Sequence, residues 1–242
     1  MKFKAFTLAE TLVTLSVIGV VCAMVVPNVV NKYQEQVAVS KLRTVYSELN
    51  QSFDLAVKHF GPPQYWGLQK SSSKVDEEGN MYGYIPSENM PYERLLFGLK
   101  KELIDGKEAA YQPQSMHGGD GIITKQRPVY RLQNGATLLY PAYISSATCS
   151  VNKGNAPKLK GICGDIKVDL NGSSGPNKLG EDVFLFYFGK NGFVPFGSVD
   201  DTSSPIETQC NKESSNQYNG YGCTAWVIYK GNRAYLKRKI SW

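Results

Sequence analysis

The sequence predicts an α+β fold: a long N-terminal α-helix spine, its lower half able to cross a membrane, packed on an antiparallel β-sheet head. Three observations predict it. Residues 3–30, FKAFTLAETLVTLSVIGVVCAMVVPNVV, hold a run of about twenty apolar positions. Residues 31–60 continue with apolar side chains at helical spacing, and the rest is cut by Gly, Pro and Asn-Gly into short β-rich runs.

The apolar run comes first. At 1.5 Å per helical residue, residues 11–30 span about 30 Å, the thickness of a bilayer's hydrocarbon core. A secretory signal peptide fits poorly, because its apolar region is only about 7–15 residues long and ends in a small-x-small cleavage site. This run ends in Val-Pro-Asn-Val-Val, and Val20 and Val21 stand before Cys22 where a lipoprotein signal has small residues. Lys2 and Lys4 precede the run and place the N-terminus in the cytoplasm. Everything after Asn31 is then expected outside the inner membrane. Glu10 is the anomaly, since a carboxylate in an apolar helix costs on the order of 3 kcal/mol and usually has a partner. The plainer alternative is a carboxylate solvated at headgroup level.

The helix is expected to continue to Phe60. Val37, Leu42, Val45, Leu49, Phe53, Val57 and Phe60 form its apolar stripe, and Gly61-Pro62-Pro63 ends it. Pro27 and Gly19 should bend or loosen it. Residues 64–88 read as a polar surface loop. A second helix is expected from Asn89-Met90-Pro91, with Asn89 as N-cap and Leu95, Leu96, Leu99 and Leu103 buried, ending near Asp105-Gly106. Asn134-Gly135 between residues 129–133 and 136–140 marks a hairpin. Further strands are expected at 164–169, 182–188, 193–196, 224–229 and 233–238.

Cysteine usage agrees with export. Cys22 lies in the apolar run, leaving Cys149, Cys163, Cys210 and Cys223 for two disulfides in an oxidising compartment. Three connectivities are open on arithmetic alone, and sequential pairing, Cys149–Cys163 and Cys210–Cys223, closes two short loops. Zinc is discounted, because the spacings are not C-x-x-C and neither histidine is near.

Ala5-Phe6-Thr7-Leu8-Ala9-Glu10, followed by the apolar run with Pro27 near its end, resembles the class III leader and N-terminal helix of type IV pilins and type II secretion pseudopilins. The resemblance implies cleavage between Ala5 and Phe6 by a prepilin peptidase and methylation of the new Phe6 amine. It implies that Glu10 guides subunits into a helical filament, pairing with the Phe6 amine of its own or a neighbouring chain. Ala5 stands where the family usually has glycine. The implied division is a leader at 1–5, an assembly helix at 6–30, an amphipathic spine at 31–61 and a disulfide-containing head at 62–242. The implied partners are other pilin or pseudopilin subunits, the prepilin peptidase and an inner-membrane assembly platform. The chain is longer than a typical major subunit, which favours a minor or tip position, in a secretion pseudopilus or a surface pilus alike.

A second stretch, Asp169-Leu-Asn171-Gly172, Gly175-Pro176-Asn177 and Gly180-Glu-Asp182-Val-Phe184, looks like a segment recurring in pilin-like heads. Asp169, Asn171 and Asp182 supply oxygens of the kind calcium prefers, and some major pseudopilins hold calcium in a head loop. The spacing is not that of an EF-hand, and Asx-turn chemistry explains the same residues.

No catalytic signature accompanies these features: G-x-S-x-G, H-E-x-x-H and the P-loop are absent, and His59 and His117 sit in no motif. A structural role is expected, with no cofactor beyond the calcium alternative. The runner-up is a membrane-anchored binding or adhesion module that does not polymerise. Net charge is +6, too mild to demand a nucleic-acid partner. Tyr218, Tyr221 and Trp226 would suit contact with DNA, but equally a core or a sheet surface.

Overall fold

The structure, a computed structural model, describes residues 7–68, 72–75, 81–84, 90–104, 110–119 and 126–242. It falls into two compact units, Met1–Ala38 and Val39–Trp242. Helix α1, Leu8–Phe60, is a single 53-residue element, and Pro27 lies inside it without interrupting it. It stops where Gly61, at φ +77°, donates its N–H to Val57 O (2.9 Å) and two prolines follow. A positive-φ glycine backed by proline is a strong helix stop.

The stripe that α1 buries in the second unit differs from the expected one. Val39, Leu42, Val45, Leu49, Ser52, Phe53 and Ala56 are buried, whereas Val37 and Phe60 are exposed. Leu42, Val45, Leu49 and Phe53 are buried as expected and Val57 is half-buried, so the face is the expected one, with Val39, Ser52 and Ala56 added to it and its two ends lost. Ser52 and Ala56, which carry little hydrophobic signal, sit where the helix approaches its neighbours closely. Ser52 Oγ is placed to donate to the carbonyls of Leu95 (3.2 Å) and Phe97 (3.1 Å).

Six antiparallel strands form the main sheet in chain order: β3 Lys101–Leu103, β4 Arg127–Leu132, β5 Thr137–Ile144, β6 Ile162–Asp169, β7 Val183–Gly189 and β8 Gly192–Pro195. A separate hairpin pairs β1 Ser72–Val75 with β2 Met81–Tyr84, within the stretch expected to be loop. The β4–β5 turn is the expected Asn-Gly turn, with Gly135 at φ +78° and Asn134 Oδ1 accepting from Ala136 N (2.9 Å). Every residue of β7 is buried. The run Phe-Leu-Phe-Tyr-Phe can sit only in a strand covered on both faces. On one face Phe186 stacks on Tyr46 of α1 (5.8 Å) and Phe193 meets Phe53 of α1 edge-on (6.1 Å). The other face carries a core of Leu139, Leu159, Leu185, Tyr187, Val194 and Phe196.

Polar groups of α1 tie it to β8, to the end of β6 and to the segment 223–230. Lys41 Nζ donates to Leu170 O, and Arg43 Nε donates to Ile228 O (2.9 Å). Along β8, Asn50 Oδ1 accepts from Phe193 N and Tyr46 Oη donates to Phe193 O, both at 3.3 Å. Ser198 Oγ donates to Pro195 O (2.7 Å).

Three expectations are corrected. The second helix, α2, covers only Met90–Leu95, and residues 101–103 are strand β3. Leu95 and Leu96 are buried but Leu103 is exposed, because Gly98 turns the chain at φ +78°. The proposed cap Asn89 and the expected end at Asp105-Gly106 lie outside the described residues. Residues 224–229 are helix rather than strand: α3 Ile206–Gln209 precedes α4 Cys223–Lys230, which ends on Gly231 at φ +69°. Residues 234–236 form a 3-10 turn in place of the last expected strand.

Candidate functional site

The first unit carries the apolar half of α1. Among the described residues α1 is the one helix long and apolar enough to cross a membrane, and none of its most apolar window is buried within the structure. Its polar side chains are turned onto its own backbone. Thr11 Oγ1 donates to Leu8 O (2.8 Å), Thr14 Oγ1 to Thr11 O (2.9 Å), Ser16 Oγ to Leu12 O (2.8 Å) and Asn28 Nδ2 to Met24 O (3.1 Å). In hydrocarbon, where no water competes, such back-bonding satisfies the donors. Cys22 is a free, exposed thiol on this surface.

Glu10 has a partner within this helix. Thr7 donates both its N–H and its Oγ1 hydroxyl to Glu10 Oε2 (2.9 Å each), and the Glu10 N–H donates back to Thr7 Oγ1 (3.2 Å). This is a capping box at the first turn, where the helix dipole also favours a carboxylate. Thr7-Leu8-Ala9-Glu10, a T-x-x-E pattern opening an apolar run, is the sequence signature of this pairing, which involves no amine. Ala5 and Phe6, the residues flanking the expected cleavage, lie outside the described residues.

In the second unit the four remaining cysteines form two disulfides, Cys149–Cys163 and Cys210–Cys223. The first joins a loop to central strand β6. The second joins the end of α3 to the first residue of α4, closing residues 211–222 into a loop. Inside that loop Asn219, fully buried, accepts from Asn211 N (3.1 Å) and donates to the carbonyls of Asn211 (2.8 Å) and Ser214 (3.0 Å).

Asp169 and Asp182 are brought side by side where β6 leaves the sheet and β7 enters it. Asp169 Oδ1 accepts from Asn171 N (2.9 Å), and its Oδ2 accepts from Tyr111 Oη. Asp182 accepts from Asn177 N through Oδ2 (2.9 Å) and from Lys178 N through Oδ1 (2.6 Å). Asn171 Nδ2 donates to Gly175 O (3.1 Å). All four carboxylate oxygens thus hold the loop or its neighbour, which is Asx-turn chemistry. Among the described residues no three His, Cys, Asp or Glu side chains converge as a metal cage would require. Asx-turn chemistry accounts for these side chains as they stand, with the oxygens of Asp169 and Asp182 turned to the loop's own N–H groups and to Tyr111.

Burial dominates the charge states here. Desolvation pushes the Asp169 carboxyl up to about 7, against the hydrogen bonds from Tyr111 and Asn171, while neighbouring Asp182 adds to the rise. Burial raises Asp182 as well, against its two backbone donors. The folded state therefore retains a proton on Asp169 that the unfolded chain releases near pH 4. Its stabilising contribution is complete below that pH and is lost as pH rises through about 7. Urea melts across that window should show a shallower loss of stability for Asp169→Asn than for the wild type. Parallel profiles would mean that Asp169 is ionised throughout.

The remaining singled-out residues do not converge. His59 stacks on Phe97 (4.7 Å between centroids) and His117 lies in an exposed turn. Trp226 is buried with its indole N–H on Asn232 Oδ1 (2.9 Å). Tyr221 packs on Phe196 (6.3 Å), and Tyr218 is partly exposed against Tyr221. Asp165 and Lys167 form an ion pair (3.7 Å) on β6 that is largely buried, and burial raises the Asp165 carboxyl. Asp201 accepts from the N–H groups of Gly197 (3.0 Å), Ser203 and Ser204 (2.9 Å each) and organises the loop after β8. No family model matches this chain, and no curated protein or solved structure matches it either.

Proposed function

We propose that this chain is a minor pilin or pseudopilin, a structural subunit of a type IV pilus or a type II secretion pseudopilus. The observation that carries the reading is helix α1. One uninterrupted element offers a fully exposed apolar surface along its first half and buries a stripe against an antiparallel sheet along its second. An apolar surface that size is stable only in lipid or against like helices. Lateral packing of such helices, with Glu10 set at the first turn, would supply the assembly step. The head would then face the extracytoplasmic side, where its two disulfides persist.

Mass spectrometry of the N-terminal peptide from native membranes tests the processing step. The expected peptide begins at Phe6 and carries one extra methyl group. A retained Met1 would point instead to a permanently anchored binding module. Substituting Glu10→Ala tests assembly separately: incorporation into filaments should be lost while membrane insertion persists. Undiminished incorporation would assign Glu10 to helix capping alone.

A further inference from the structure

We propose that Asn171 is an acceptor site for N-linked glycosylation, a modification that rests on the reading of the head as extracytoplasmic. The chain holds two Asn-x-Ser/Thr tripeptides without proline at the middle position, Asn50-Gln51-Ser52 and Asn171-Gly172-Ser173. The structure separates them. Asn50 lies in α1, where its Nδ2 donates to Tyr46 O (2.8 Å), its Oδ1 accepts from β8, and Ser52 is buried. A helical acceptor with a buried hydroxyl cannot enter a transferase site, which needs an extended or turned backbone and an accessible hydroxyl at the second position after asparagine.

Asn171 meets those needs. It follows β6 in the turn toward β7, and both Asn171 and Ser173 are exposed. Gly172, between them, sits at φ +68°, a left-handed conformation natural to glycine. The Asn171 N–H is held inward by Asp169 Oδ1, while the side-chain amide reaches across the surface turn to Gly175 O. That contact, and one to Asp182, are the bonds the amide must release. Ser173 O receives only a long contact from Asn177 Nδ2 (3.4 Å) among the described bonds.

The co-substrate is a polyprenyl-diphosphate-linked oligosaccharide, presented by a membrane oligosaccharyltransferase. The Asn171 side-chain nitrogen forms a bond to the anomeric carbon of the first sugar. The bond from that carbon to the diphosphate oxygen breaks, the polyprenyl diphosphate leaves with the electron pair, and the amide gives up one proton to a base of the transferase. A glycan at this turn would add bulk and hydration to the head surface without disturbing the sheet.

The test is the mass of tryptic peptide 168–178 from the full-length protein in native membranes. The expected peptide is heavier than its sequence by whole saccharide units, and the addition is lost in both Asn171→Gln and Ser173→Ala. It should persist in Ser173→Thr, which keeps the hydroxyl, and in Asn50→Gln. Labelling spheroplasts with a membrane-impermeant amine reagent, read at exposed Lys158, Lys160 and Lys190, reports the side of the head. An unmodified peptide from a labelled head overturns the glycan site and leaves export standing. An unlabelled head overturns both.

Discussion

Gly197→Ala is expected to destabilise the head by about 3 kcal/mol or more. Gly197 follows β8 at φ +79°, and a Cβ there would lie 1.9 Å from the backbone oxygen of Gly222, the residue that leads into α4. Neither partner is a flexible side chain tip, so relief requires α4 to move away from the end of β8. That shift would pull on the Gly197 N–H held by Asp201 and on Gly197 O, which accepts from the Trp242 indole (3.0 Å). All three tryptophans, Trp66, Trp226 and Trp242, lie in this unit, so their fluorescence follows its unfolding in urea. Gly119→Ala is the control, since a Cβ there meets nothing within 4 Å and its φ is unremarkable. Equal midpoints for the two variants would remove the clash as the explanation.

Removing the Cys210–Cys223 disulfide in a Cys210→Ser/Cys223→Ser variant should cost about 3 kcal/mol, the value expected for a loop of this size. For a unit of about 200 residues that corresponds to a fall in Tm of about 6–12 °C. The bond closes a loop of sequence separation 13 and anchors the first residue of α4 to the end of α3. Without it the Asn211–Asn219 hydrogen bonds must hold the loop alone, in an ensemble that is free to open. A midpoint unchanged in the double variant would show that the asparagine network suffices.

The legible parts of the fold are those in which one signal dominates. The apolar run, the Gly-Pro-Pro stop, the Asn-Gly hairpin and the doubly covered run at 184–188 each follow from local chemistry. Residues 223–230 misled because Thr-Ala-Trp-Val-Ile-Tyr has strand-forming composition. The segment is buried on nearly every side, so no helical periodicity marks it, and its limits are set by Gly222, Gly231 and a disulfide reaching back to Cys210. The leucines at 95, 96, 99 and 103 fit a helical period, yet the helix ends at Leu95, Gly98 turns the chain at positive φ between Leu96 and Leu99, and Leu103 falls on an edge strand. At the candidate site the carboxylates at 169 and 182 were visible as a cluster. Their commitment to the turn's own N–H groups, and the role of Tyr111 from a distant segment, depended on tertiary placement that no spacing encodes.

The outer margin of β8 has a consequence for how copies can associate. Phe193 presents both backbone groups away from β7, and both are taken by side chains of α1; two residues on, Pro195 has no N–H and its carbonyl is taken by Ser198. No donor or acceptor at either position is left to template a foreign strand, the event that begins edge-to-edge aggregation. A protein concentrated at a membrane or in a fibre is crowded against its own kind, where sheet extension into amyloid would compete with ordered assembly. On this side the fold is insulated from that fate: the margin of β8 at Phe193 and Pro195 can meet another molecule only through side chains.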